Sequence, residues 1–88
     1  MLSAILTVML QITEGAAQFS EFGAAFAASF TAIGAAYGIS RIGSSAMEAI
    51  ARQPEASGDI RSNMIVSAAL IEGVSFFAVI VCALVLFV

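Results

Sequence analysis

The 88 residues are 61% hydrophobic and 10% charged, with a formal net charge of -3. A soluble domain of this size needs far more charge to cover its surface, so a water-soluble globule is excluded and one domain is the ceiling. Only three residues are basic and histidine is absent, which leaves no tract to grip nucleic acid.

Met1–Thr13 (MLSAILTVMLQIT) is apolar but short for a membrane span. A signal peptide with a small-residue site at Gly15-Ala16-Ala17 competes with a retained extension that lies at the interface or lengthens the first helix. The positively charged start of a signal peptide is missing, which favours retention. Residues 1–18 are therefore set apart as an N-terminal extension or leader, with Glu14 and Glu21 marking a watery boundary.

The first span is expected from Phe22 to Ser40 (FGAAFAASFTAIGAAYGIS), inside a helix over about 19–52. Ala24, Ala28, Ala32, Ala36, Ser40 and Ser44 recur at every fourth position, which suggests one helix face lined with small side chains. Gly34 and Gly38 form a small-xxx-small pair beside it. Apolar helices gain little from leaving lipid for one another, so close backbone approach through small residues supplies their packing. Glycine costs up to ~1 kcal/mol inside a helix, which makes such positions purposeful. The simpler alternative is an ordinary two-helix contact.

A polar break follows at about 53–58. Pro54 lacks an amide donor and disfavours helix in the residue before it, so the first helix should stop near Arg52 or Gln53. Ser57 or Asp59 can cap a second helix, expected over about 59–87. So short a link predicts an antiparallel hairpin. Arg41, Arg52 and Arg61 all lie at or beside the break, which predicts a cytoplasmic loop and both termini outside.

The second helix carries the informative residue. Glu72 is the only formally charged side chain from Ser62 to Val88. It lies roughly 15 Å along the helix from Ser62, near mid-depth of a ~30 Å hydrocarbon core. An ionised carboxylate there costs ~2.5 kcal/mol or more, so the acid itself is read as the working part, a proton or ion site. The bland reading is a static acid paired with a basic residue on a neighbouring helix. Folding about Pro54 and Glu55 sets Glu72 level with Tyr37 to Ile39, facing the Gly34/Gly38 region. Cys82 sits in the apolar run and reads as packing. No nucleophile–base pair, metal-ligand cluster or phosphate loop is present, so neither a self-contained enzyme nor a cofactor is expected.

From about Ala32 to Val88 the chain resembles the c subunit of F-type ATP synthases, the membrane proteolipid of the rotor ring. The resemblance rests on the small-residue first helix, the ARQPEA loop at Ala51–Ala56 and the acid in the second helix. It implies an all-α membrane protein, a two-helix antiparallel hairpin assembling into a homo-oligomeric ring with first helices inside. Ala28, Ala32, Gly34, Ala36, Gly38 and Ser40 would pack the ring. Glu72 matches the family's ion-carrying carboxylate, with Tyr37, Gly38 and Ser75 as neighbours. Arg52, Gln53 and Pro54 match the residues that meet the central stalk. A stator subunit of the a type would present an arginine to Glu72, and membrane lipids would surround the ring. A bacterial inner membrane is the favoured location.

Sodium-type members of the family resemble one another in a glutamine at the position of Ile39 and a hydroxyl residue at that of Gly73. This chain has neither, and Phe77 stands where a tyrosine often helps. A protonated carboxyl needs only one acceptor, so H+ is the expected ion rather than Na+. For Ser75, a hydroxyl bonded back to its own helix competes with a site role. A sodium-coupled or vacuolar-type proteolipid and a non-rotary hairpin assembly or pore are the alternative readings.

Overall fold

The computed structural model describes all 88 residues, Met1–Val88. Helix α1 runs from Leu2 to Arg52, a single 3-10 turn spans Pro54–Ala56, and helix α2 runs from Ser57 to Val85. Both helices are long and apolar enough to cross a membrane. They lie side by side as an antiparallel hairpin, a rod of 80 × 16 × 7 Å.

The turn forms where the sequence demands one. Gln53 precedes proline and leaves the helical region, at φ -135° and ψ 73°. Its amide still donates to the Ala49 carbonyl at 2.9 Å, and its own carbonyl accepts from the Ala56 amide at 3.0 Å. The link is tighter than the expected 53–58 loop, because Pro54 opens the 3-10 turn that leads straight into α2. Helix α2 accordingly spans Ser57–Val85 rather than about 59–87. Neither Ser57 nor Asp59 acts as a side-chain cap: Ala56 holds the cap position, and both lie inside the first turn. Asp59 there still favours the positive end of the helix dipole.

At its other end α1 begins at Leu2, not near residue 19. No proline interrupts Leu2–Phe22, and the one glycine before Phe22, Gly15, costs too little against a continuous hydrogen-bond ladder to stop the helix.

Each helix presents a narrow seam to the other. On α1 the seam positions are Ala24, Ala28, Thr31, Ala35, Gly38, Ile42, Ala46 and Ala49. On α2 they are Ile60, Met64, Ala68, Ile71, Ser75, Ala78 and Cys82. Spacings of three and four throughout are those of a coiled-coil-like contact, in which the seam stays on one side of each helix. The small-residue set read at every fourth position behaves differently. Four residues turn a helix by about 400°, so each step drifts about 40° around the axis. Ala24 and Ala28 sit in the seam, whereas Ala32, Ala36, Ser40 and Ser44 have rotated out of it and are exposed. They do not form one face of the hairpin.

Only Ala46 is fully buried, at 7% exposure, and large apolar side chains cover the outside of both helices. The isolated hairpin therefore has no core of its own. Its apolar surface calls for lipid or further helices as cover.

Among the glycines, Gly38 alone meets the other helix: a Cβ there would stand 3.0 Å from Cδ1 of Ile71. Because that atom ends a flexible side chain, Gly38→Ala is expected to destabilise the hairpin only mildly, and adding Ile71→Val should restore it. Gly38→Leu should separate the helices and cost about 1–3 kcal/mol, read as a lower unfolding midpoint of the purified hairpin in mixed micelles. Wild-type stability in the leucine variant would contradict this contact.

Candidate functional site

The Gly38–Ile71 contact fixes the register of the hairpin. Glu72, next to Ile71, thus lies at the depth of Tyr37 to Ile39. Its side chain does not enter the seam. It lines a groove along one flank of the hairpin, with Ala32, Ala36, Ile39 and Ser40 from α1 and Ser75 and Phe76 from α2. The α1 wall is low because its residues are small, which leaves room for another helix to approach the acid.

No basic residue lines this groove. Arg41, less than two turns from Tyr37 along α1, lies on the opposite flank, in a crevice with Ser45, Asn63 and Ser67. The hairpin therefore gives Glu72 no neighbouring countercharge within its own groove. A carboxylate in an apolar surround is costly unless a cation or water meets it, while its neutral form tolerates that surround.

The sequence-derived residues fall in distinct places. Ser75 shares the groove with Glu72, and its hydroxyl donates to the Ile71 carbonyl at 2.7 Å. That bond is the local back-bond expected of a mid-helix serine, so the hydroxyl proton is already used. Ser75→Ala is accordingly expected to leave the stability of the hairpin in mixed micelles within about 1 kcal/mol of wild type; a larger loss would give the back-bond a structural part. Tyr37 is 68% exposed and belongs to neither the groove nor the seam. Gly38 lies in the seam against Ile71 rather than beside the carboxyl. Among the ring-packing candidates, Ala28 is in the seam, Ala32, Ala36 and Ser40 are in the groove, and Gly34 opens onto the other flank with Leu70 and Val74. Arg52, Gln53 and Pro54 stand exposed at the tip of the hairpin.

Two contributors escaped the sequence reading. Ile71 sets the depth of the acid through Gly38, and Phe76 forms the far wall of the groove. The alternating three-and-four spacing of Ala24, Ala28, Thr31, Ala35, Gly38 and Ile42 marks the seam, and hence the flank on which Glu72 falls.

Residues 22–85 match the model of the ATP synthase C subunit family. The ATP synthase c subunit of Bacteroides thetaiotaomicron is 63% identical over 83 residues, covering 94% of this chain and 98% of that protein. Those of Phocaeicola vulgatus and Bacteroides fragilis are 59% and 57% identical over the same lengths. The c subunit of the Protochlamydia amoebophila enzyme is 54% identical over 63 residues, 72% of this chain and 64% of that protein.

Proposed function

This chain belongs to the ATP synthase C subunit family and is a rotor-ring subunit of an F-type ATP synthase, integral to the membrane; on that premise we propose that Glu72 carries protons across the membrane by cycles of protonation and release. The observation that carries this reading is the lone carboxyl in a groove without a countercharge, beside small residues that admit a neighbouring helix. Protonated, the acid crosses the lipid-facing part of the cycle as a neutral group. Deprotonated, it is held by an arginine of the stator a-type subunit, releases its proton to one access path and takes another from the second. Each elementary charge crossing 100 mV supplies ~2.3 kcal/mol, so several copies must pass for one ATP.

The protein itself performs no catalysis in this account. Identical copies form the ring, the exposed tip at Arg52, Gln53 and Pro54 meets the central stalk, and the loop faces the cytoplasm of a bacterial inner membrane. H+ is preferred to Na+ on the donors present. Besides Glu72 the groove's side-chain oxygens are the hydroxyls of Thr31, Ser40 and Ser75, and Thr31 and Ser40 stand nine residues apart on α1, about 14 Å along its axis. A sodium ion needs several oxygens aimed at one point to replace its water, whereas a carboxyl proton needs one acceptor.

Synthesis by the reconstituted complex, driven by an imposed pH gradient and potential, tests the ion. Rates should be unchanged within about twofold between sodium-free and sodium-rich buffer. A requirement for sodium would overturn the proton assignment.

A further inference from the structure

Helix α1 outlasts its partner. Val85, Leu86 and Val88 at the end of α2 lie beside Thr13, Ala16, Ala17 and Ser20. The segment Leu2–Ile12, about 16 Å of helix, continues alone beyond them. It runs without a break into the rest of α1. Leu2, Ile5, Met9 and Ile12 are each half or more exposed.

The arm has two unlike flanks, with Leu6, Val8 and Leu10 also exposed between them. Leu2, Ile5, Met9, Ile12 and Ala16 recur at spacings of three and four along one flank, and Ser3, Thr7, Gln11, Glu14 and Gln18 do so along the opposite one. Both stripes run on into the hairpin. The apolar stripe continues through Gly23 and Ala27 to Gly34, on the flank shared with Leu70 and Val74. The flank of the polar stripe continues to that of Ala32 and Ala36, beside Glu72. Thr7 turns its hydroxyl back to the Ser3 carbonyl at 2.8 Å, so that part of the polar stripe meets a neighbour with its hydrogen bond already made. The match to the Bacteroides thetaiotaomicron protein spans 83 residues, 94% of this chain, and so reaches well into residues 1–18, although the family model begins at residue 22.

We propose that Leu2–Ile12 is a copy-to-copy interface: in the rotor ring the apolar stripe of one arm packs on the opposite flank of the next arm, forming a helical collar beyond the end of α2. This rests on the ring reading above. A closed ring of identical hairpins is heterologous, so one flank of each copy meets the other flank of the next. An unbroken helix carries that arrangement into the arm, where the neighbour is already held at short range and its apolar stripe needs no new encounter to be covered.

Disulfide trapping in the intact membrane complex tests this, in a Cys82→Ala background. Ile5→Cys with Thr7→Cys places thiols on opposite flanks of the arm, and Ala25→Cys with Ala27→Cys does the same within the membrane. Both pairs are expected to give ladders of linked copies on oxidation. A ladder from the membrane pair with none from the arm pair overturns the collar while leaving the ring intact. Absence of both ladders overturns the collar together with the ring on which it rests. A photoreactive side chain at Met9 that labels lipid instead of protein, or a mature polypeptide whose mass lacks residues 1–18, also overturns it.

Discussion

Glu72→Gln is expected to abolish proton-driven ATP synthesis, a fall of about 100-fold or more, while leaving protein levels and helix content unchanged. Glutamine nearly matches the volume of glutamate and keeps a polar end in the groove, so packing against Ala36 and Phe76 survives. What it removes is the proton that can leave. Glu72→Asp keeps the chemistry but withdraws the carboxyl by one methylene. It should retain synthesis at roughly a tenth of wild type, because the acid meets its partners from a shorter reach. Synthesis by inverted vesicles, normalised to the amount of this protein in the membrane, reads both. Full activity in the glutamine variant would remove the carrier role.

Ala36→Leu is expected to break the ring without breaking the hairpin. Ala36 is exposed in the isolated hairpin and lies outside the seam, so a larger side chain meets nothing within its own chain. In the assembly the same groove must admit the neighbouring copy. Overpacking there costs about 1–3 kcal/mol at each interface, repeated around the ring. Intact rings recovered in mild detergent should fall at least about tenfold, with helicity of the single hairpin retained. Rings at wild-type yield would show that the groove beside Glu72 is not where copies meet.

The hairpin was legible because its signals are local and strong. Pro54 ends α1, the spans on either side are long and apolar, and Glu72 stands alone in one of them. Its depth followed from folding the chain about Pro54 and Glu55. Family membership then sets aside the non-rotary pore and vacuolar-type alternatives. The seam was not legible in the same way. Small residues at every fourth position draw attention first, and that row winds around the helix: Ala28 ends up between the helices and Ala36 outside them. Tyr37 and Gly38 share the depth of Glu72 in register, yet they point to other sides, because neighbours along a helix are about 100° apart. Residues 1–18 were ambiguous because length alone cannot separate a leader from the start of a longer helix. In the structure residues 2–18 continue α1 without a break through Gly15, a geometry that a leader and a retained extension share.

The central claim is that one carboxyl per copy, Glu72, exchanges the transported proton. It is tested most directly by a hydrophobic carbodiimide applied to the intact complex, with adducts located by mass spectrometry and ATP-driven proton pumping followed in the same sample. The expected result is a single adduct on Glu72, pumping lost as that adduct accumulates, and no protection by sodium. Saturation of Glu72 with pumping intact, or inhibition that tracks an adduct at Glu14, Glu21, Glu48 or Glu55 instead, would contradict it.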